Sequence, residues 1–195
     1  MVVQTSPRLY SIEEYLTLEE SAEYRSEYRN GEIVTMRGAS INHNQIVINL
    51  IIALGLALRE QNYRVYTSDL RLWIPRYQQY TYPDILIIKD KPVFPEGRTD
   101  TVVNPSMIFE ILSKSTSSRD RGDKFTYYRS IPEFQEYILI DQYQNHIEQF
   151  SKTSEGKWLL SESDDEDGVL TLASANCQIS HRQIYERVTF ENQSE

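Results

Sequence analysis

Two apolar runs constrain this chain more than any other feature. Ile85 to Ile88 are four aliphatic residues in a row, and Met107 to Leu112 are interrupted only by Glu110. A strand with one wet face alternates apolar and polar residues, whereas an unbroken run needs cover on both faces. Both runs therefore read as central strands of a sheet with layers packed on either side. Pro83 precedes the first, where proline is tolerated at a strand start.

The rest of the chain supplies those layers. Ser11 and Glu14 fit a capping box ahead of a short helix over about 11–20. Asn30-Gly31 between two β-rich runs predicts a two-residue hairpin turn, with Arg29 facing Glu32, Tyr28 facing Ile33 and Glu27 facing Val34. Glu27 then shares a face with Val34 and Met36, which is unexpected if that face is core. Asn42 and Gln45 suggest a second cap, opening a helix over about 42–61 whose Ile and Leu on several sides predict a largely buried element. Residues 63–74 alternate and read as one strand. A proline-rich loop from Asp90 to Pro105 separates the two buried strands. A helix over about 119–130, the strand Glu136 to Asp141, a two-strand meander and a short helix over about 180–187 complete the order. The expected fold is α/β or α+β: one mixed β-sheet flanked by helices, with an N-terminal hairpin and a C-terminal β-meander.

The length of 195 residues fits a single domain over 1–195. The N-terminus has no basic lead followed by an apolar stretch, and the most apolar segment, Ile46 to Leu58, is too short to span a bilayer. A soluble, cytoplasmic protein without membrane attachment is expected. The lone Cys177 excludes an intrachain disulfide and reads as a small buried residue. A formal charge of −9 argues against a broad non-specific nucleic-acid face. The acidic run from Glu162 to Gly168 reads as a solvated turn, without the ligand spacing of a calcium loop. Tyrosine makes up 14 of the 22 aromatic residues, which suits half-exposed sheets and interfaces.

Glu110 is the sharpest local anomaly. A carboxylate inside a central strand must find a metal, a cation or a proton, because burying it unpaired costs several kcal/mol as an order of magnitude. Asp84 opens the other buried strand, and strands close in sequence are usually neighbours. The two carboxylates can then converge, and a hard divalent cation would relieve their repulsion. Lys124 lies on the helix after the Glu110 strand and can fold back toward it. Around it, Lys114, Arg119, Arg121, Lys124 and Arg129 are opposed only by Asp120 and Asp123, a basic strip suited to phosphate. His43 is a candidate phosphate contact or hairpin prop, Asp69 a strand residue within reach of the site or in a structural hydrogen bond, and Ser113 a hydrogen-bond donor to a ligand carboxylate.

These pieces resemble a known pattern. Glu27-x-x-x-Gly31-Glu32, His43, Tyr82-Pro83-Asp84, Glu110-x-Leu112-Ser113, Asp120-x-x-x-Lys124 followed by Tyr128, and Glu136-Tyr137-x-x-x-Asp141 resemble the PD-(D/E)XK nuclease superfamily, and more closely its restriction-endonuclease-like bacterial branch. The usual lysine position, two residues after the acid, holds Leu112 here, and Lys124 takes the displaced place of that branch. The resemblance implies a metal-dependent endonuclease. Asp84, Glu110 and Lys124 would be catalytic, and Asp84, Glu110 and Glu27 would be ligands of Mg²⁺ or Mn²⁺. Arg119 and Arg121 would bind substrate, with DNA as the nucleic acid, and a homodimer would fit the fold. The alternatives are a non-catalytic nucleic-acid- or protein-binding module on the same fold, and a hydrolase of other phosphate esters.

Overall fold

The computed structural model describes residues 8–190; the start of the N-terminal stretch read for a leader, residues 1–7, lies outside them. The capping box forms as the sequence predicts, with Ser11 and Glu14 closing α1 (Ile12–Glu20) at its N-terminus. The hairpin follows with the expected register: β1 (Ser26–Arg29) pairs β2 (Glu32–Thr35) as Glu27 with Val34, Tyr28 with Ile33 and Arg29 with Glu32. Asn30 and Gly31 both take positive φ, 47° and 103°, as the tight turn requires.

α2 spans Ile41–Ala57, and its N-cap is Ser40 rather than Asn42. The Ser40 hydroxyl accepts the His43 amide, while the Asn42 side chain reaches the Gln142 and Thr189 carbonyls. Contrary to the expectation of a largely buried helix, its buried residues are Ile46, Asn49, Leu50 and Leu54, one stripe only.

Residues 63–74 are not one strand. A turn at Ser68-Asp69, closed by the Leu70 amide on the Thr67 carbonyl, splits them into β3 (Tyr63–Thr67) and β4 (Arg71–Ile74). The break moves the chain from one sheet to another, which an alternating pattern by itself does not reveal. β5 (Gln79–Thr81) follows a 3₁₀ turn that the sequence reading did not separate. The two apolar runs become β6 (Ile85–Lys89) and β8 (Met107–Leu112), with the two-residue β7 (Thr101–Val102) in the loop between them.

The helix expected over 119–130 starts two residues earlier and changes winding: α3 (Ser117–Arg119), a π-helical stretch (Asp120–Lys124) and α4 (Phe125–Tyr128). β9 (Glu136–Asp141), β10 (Ile147–Lys152) and β11 (Trp158–Ser163) form the meander. β12 (Val169–Leu172) and β13 (Cys177–Ser180) add a hairpin not foreseen from sequence, and α5 (His181–Ile184) ends the described fold.

The architecture is α+β, with two mixed sheets, a small hairpin sheet and flanking helices. The six-stranded sheet runs β11-β10-β9-β8-β6-β3, antiparallel except for β8 with β9. The five-stranded sheet runs β2-β1-β5-β4-β7. Strand parity sorts the core. Ile85, Ile87, Met107, Phe109 and Ile111 pack under α2, α5 and the β12-β13 hairpin, whereas Leu86, Ile88, Ile108 and Leu112 pack toward β4, α4 and Phe134. A third cluster of Tyr15, Tyr28 and Tyr80 sits beneath α1. The 14 tyrosines divide: Tyr15, Tyr28, Tyr80, Tyr82, Tyr128 and Tyr137 are buried, six more are half-buried as expected, and Tyr24 and Tyr143 are exposed.

Candidate active site

The same parity builds the site. Asp84 and Glu110 stand on the even face of β6 and β8, with Leu86 and Ile108. The antiparallel register that pairs Ile85 with Phe109 sets Asp84 opposite Glu110. Glu27 comes from the other sheet. Tyr28 turns toward α1, so Glu27 and Arg29 face the opposite way, into a cleft of about 360 Å³ between the sheets and the 117–128 segment. Val34 and Met36 line that cleft too, which explains a carboxylate on their side: the face is a cleft wall, not core.

Lys124 reaches this point because the π-helical winding turns it inward. Its ammonium lies 2.9 Å from Glu110 Oε1, 3.0 Å from Asp120 Oδ1 and 4.0 Å from Glu27 Oε1. Single-turn π-helical insertions are frequent at functional sites. Tyr128, one turn further on, donates its hydroxyl to the same Glu110 Oε1 at 2.7 Å. Both contacts fall on one oxygen, and Glu110 Oε2 accepts no hydrogen bond among the described residues. Asp84 Oδ2 accepts the Ile111 amide at 2.8 Å, and His43 Nε2 stands 3.1 Å from Asp84 Oδ1.

The electrostatics set Glu110, Lys124 and Glu27 apart. Burial pushes the Glu110 carboxyl up and the nearby Asp120 and Asp84 charges add to it; Lys124 and the Tyr128 hydrogen bond pull back without reversing the direction. Burial works against Lys124 as well, but Glu110, Asp120 and Glu27 together hold it well above the ordinary lysine range, so it is an ammonium. Glu27 is also buried, yet Lys124 and Arg119, aided by bonds from Thr81 and Arg29, hold it down at about 2.

Not every expected residue arrives. Glu27 shares the cleft, but its oxygens are taken: Oε2 accepts Arg119 at 2.6 Å and Arg29 at 2.7 Å, and Oε1 accepts the Thr81 hydroxyl. Among the described residues, the group of three donors within 4.8 Å of one another is His146, Glu148 and Glu162, not Asp84, Glu110 and Glu27. Arg121 is turned away from the cleft and bonds Glu148 at 2.6 Å and 2.8 Å. Asp69 sits in the exposed turn between β3 and β4, with Arg25 at 3.9 Å, and does not line the cleft. Ser113 does line it, but its hydroxyl bonds Ser115 and Thr116 instead of a carboxylate.

Two cleft residues were missed. Arg29 stands two positions after Glu27, hence on the same strand face, and that period-2 spacing was a usable signal. Arg37 lies just past the hairpin and carried none. With them the cleft wall holds Arg29, Arg37, Arg119 and Lys124 against Glu27, Asp84 and Glu110, locally cationic in a chain of −9.

The donor set fits a hard divalent ion. Two carboxylates face each other across one strand pair, with an oxygen of Glu110 left open, and magnesium characteristically takes one or two carboxylates plus waters. A layered α+β fold with two opposed acids on neighbouring inner strands and a lysine beside them defines a protein of the restriction-endonuclease-like class. Residues 12–180 match the Uma2 family, described as "Putative restriction endonuclease", and the chain belongs to that family. It is 41% identical over 162 residues to the uncharacterized protein sll1609 of Synechocystis, covering 83% of this chain and 92% of that one. It is 35% identical over 156 residues to slr1290 of the same organism, covering 79% and 80%. A crystal structure described as "a putative nuclease belonging to DUF820", from Anabaena variabilis, shares the fold with a TM-score of 0.75 at 18% identity, over 90% of this chain and 97% of that one.

Proposed function

We propose that this chain is a metal-dependent endonuclease that hydrolyses phosphodiester bonds, with DNA as its polymer. The observation that carries the reading is the convergence of Asp84, Glu110 and the Lys124 ammonium in an open, locally cationic cleft. Asp84 and Glu110 would hold Mg²⁺ or Mn²⁺. When bound, such an ion lowers the pKa of a water and polarises the phosphate.

The chain's own residues do the rest. Lys124 keeps the Glu110 carboxyl oriented and places a positive charge where phosphate charge develops. Tyr128 fixes the same oxygen, which leaves the second Glu110 oxygen free to hold an ion. The Ile111 amide and His43 hold Asp84 through its two oxygens, Oδ2 and Oδ1 respectively. Glu27 acts as an organiser of Arg119, Arg29 and Lys124 rather than as a ligand, and Arg29, Arg37 and Arg119 form the phosphate-facing wall. Residues from β1 to α4 build one site, which supports reading 1–195 as one domain. No helix among the described residues is long and apolar enough to cross a membrane, and a cytoplasmic location goes with a nucleic-acid substrate.

The test is incubation of supercoiled plasmid and single-stranded DNA with Mg²⁺ or Mn²⁺, beside folded Asp84→Ala and Glu110→Gln proteins. Nicking that both variants lack supports the mechanism, and nicking that either retains removes that residue from it. Binding of polymer without cleavage under every metal tried would favour the non-catalytic binding module.

A further inference from the structure

Among the described residues, the solvent face of α2 carries an unusual run of exposed aliphatic side chains. Its exposed positions are Ile41, Asn44, Ile48, Ile52, Gly55 and Leu56, at three- and four-residue spacing apart from the adjacent Gly55-Leu56, with Ala57 exposed off that stripe at the last residue. The four aliphatics are 87%, 51%, 57% and 69% exposed in chain order. α2 holds no Asp, Glu, Lys or Arg, although these make up a quarter of the chain. A surface helix normally turns charged residues outward, so an uncharged apolar outer face calls for a partner.

We infer that this face is a homodimer interface, in which α2 packs against α2 of a second copy across a two-fold axis near Ile48 and Ile52. Charge, self-complementarity and backbone access favour a second copy. The chain carries −9, so two copies can approach closely only through a patch free of that charge, and the α2 stripe is such a patch. An isologous contact needs a self-complementary surface, and a uniform aliphatic stripe is complementary to itself. The four Ile and Leu side chains, each at least half exposed, leave roughly 400 Å² uncovered, about half of the ~800 Å² per partner that a stable interface buries, so residues flanking the stripe supply the rest. Gly55 has no atom within 4 Å of where a Cβ would stand, so the backbone there is open to close helix approach. The inner face of α2 is already spent on β3, β8, β13 and α5, so pairing costs nothing in the core. This inference does not depend on the nuclease reading, because it concerns the opposite face of the helix that carries His43.

The experiment is sedimentation of the full chain at about 100 µM, with Ile48→Glu/Ile52→Glu beside it. A wild-type dimer that becomes a monomer of 22.9 kDa in the variant is expected. A wild-type monomer, or a dimer that the folded double variant retains, overturns the inference. A second measurement holds if that variant fails to fold. Under mild oxidation Ile48→Cys should cross-link to itself in high yield and Lys157→Cys, on the β10-β11 turn, should not. Equal yields from the two, or none from Ile48→Cys, overturn it too.

Discussion

Replacing Glu27 by Gln isolates the charge that organises the cleft. The carboxylate is buried, accepts Arg119, Arg29 and Thr81, and lies 4.0 Å from the Lys124 ammonium. Burial opposes its ionisation, but those cations lower it from 4.5 to about 2. At 1.36 kcal/mol for each tenfold step, the gap corresponds to about 3 kcal/mol of stability at pH 7. The folded value lies below the unfolded one, so this stability is complete above the unfolded value and is lost as pH falls through about 2. Glu27→Gln keeps the shape and removes the charge, so at pH 7 it should unfold about 3 kcal/mol more easily, a drop of roughly 6–12 °C in melting temperature for a chain of this size. At pH 3.5 the unfolded wild type is mostly protonated, and about 1.4 kcal/mol of the difference should vanish. Urea unfolding of both proteins at the two pH values reads this directly. An equal loss at pH 7 and pH 3.5 would refute the argument, because a merely steric effect has no reason to titrate.

Other expectations follow from the same geometry. Glu110 is pushed upward by burial and its neighbours, so holding it ionised costs stability as pH rises above the ordinary carboxylate range. Glu110→Gln should lose that slope, melting relatively higher than wild type at pH 8 than at pH 5 in metal-free buffer while losing cleavage. Removing Lys124 strands Glu110 and Asp120 in a buried site; Lys124→Met should cost about 3–5 kcal/mol in urea titrations and abolish nicking. Tyr128→Phe removes one hydrogen bond to a carboxylate, about 1.5–3 kcal/mol, and should lower the rate more than it weakens DNA binding in a filter assay. Mn²⁺ should raise the wild-type melting temperature, with no rise in Asp84→Ala; an ion that binds only the folded state contributes about 2.7 kcal/mol at a hundredfold excess over its dissociation constant.

Much of this protein is local and therefore legible in the chain. Turn chemistry set the Asn30-Gly31 hairpin and its register, because a two-residue turn leaves one pairing. Unbroken apolarity marked β6 and β8, and an acid within or beside each marked Asp84 and Glu110 as residues needing a partner. Tertiary structure decided what depends on distance across the fold. The turn at Ser68-Asp69 sent one alternating run into two sheets, which opened the cleft and left Asp69 outside it. The π-helical winding carried Lys124 inward, while the β10-β11 hairpin captured Arg121 through Glu148. Glu27 was visible as an odd carboxylate, but only the arrival of Arg119 from ninety residues away made it an ion-pair anchor instead of an open ligand. Periodicity likewise showed α2 to be apolar on several sides, and only the packing showed which side the fold leaves uncovered. A sequence states what each residue can contribute within a few positions; which charges meet is fixed by chain reversals that no local pattern encodes.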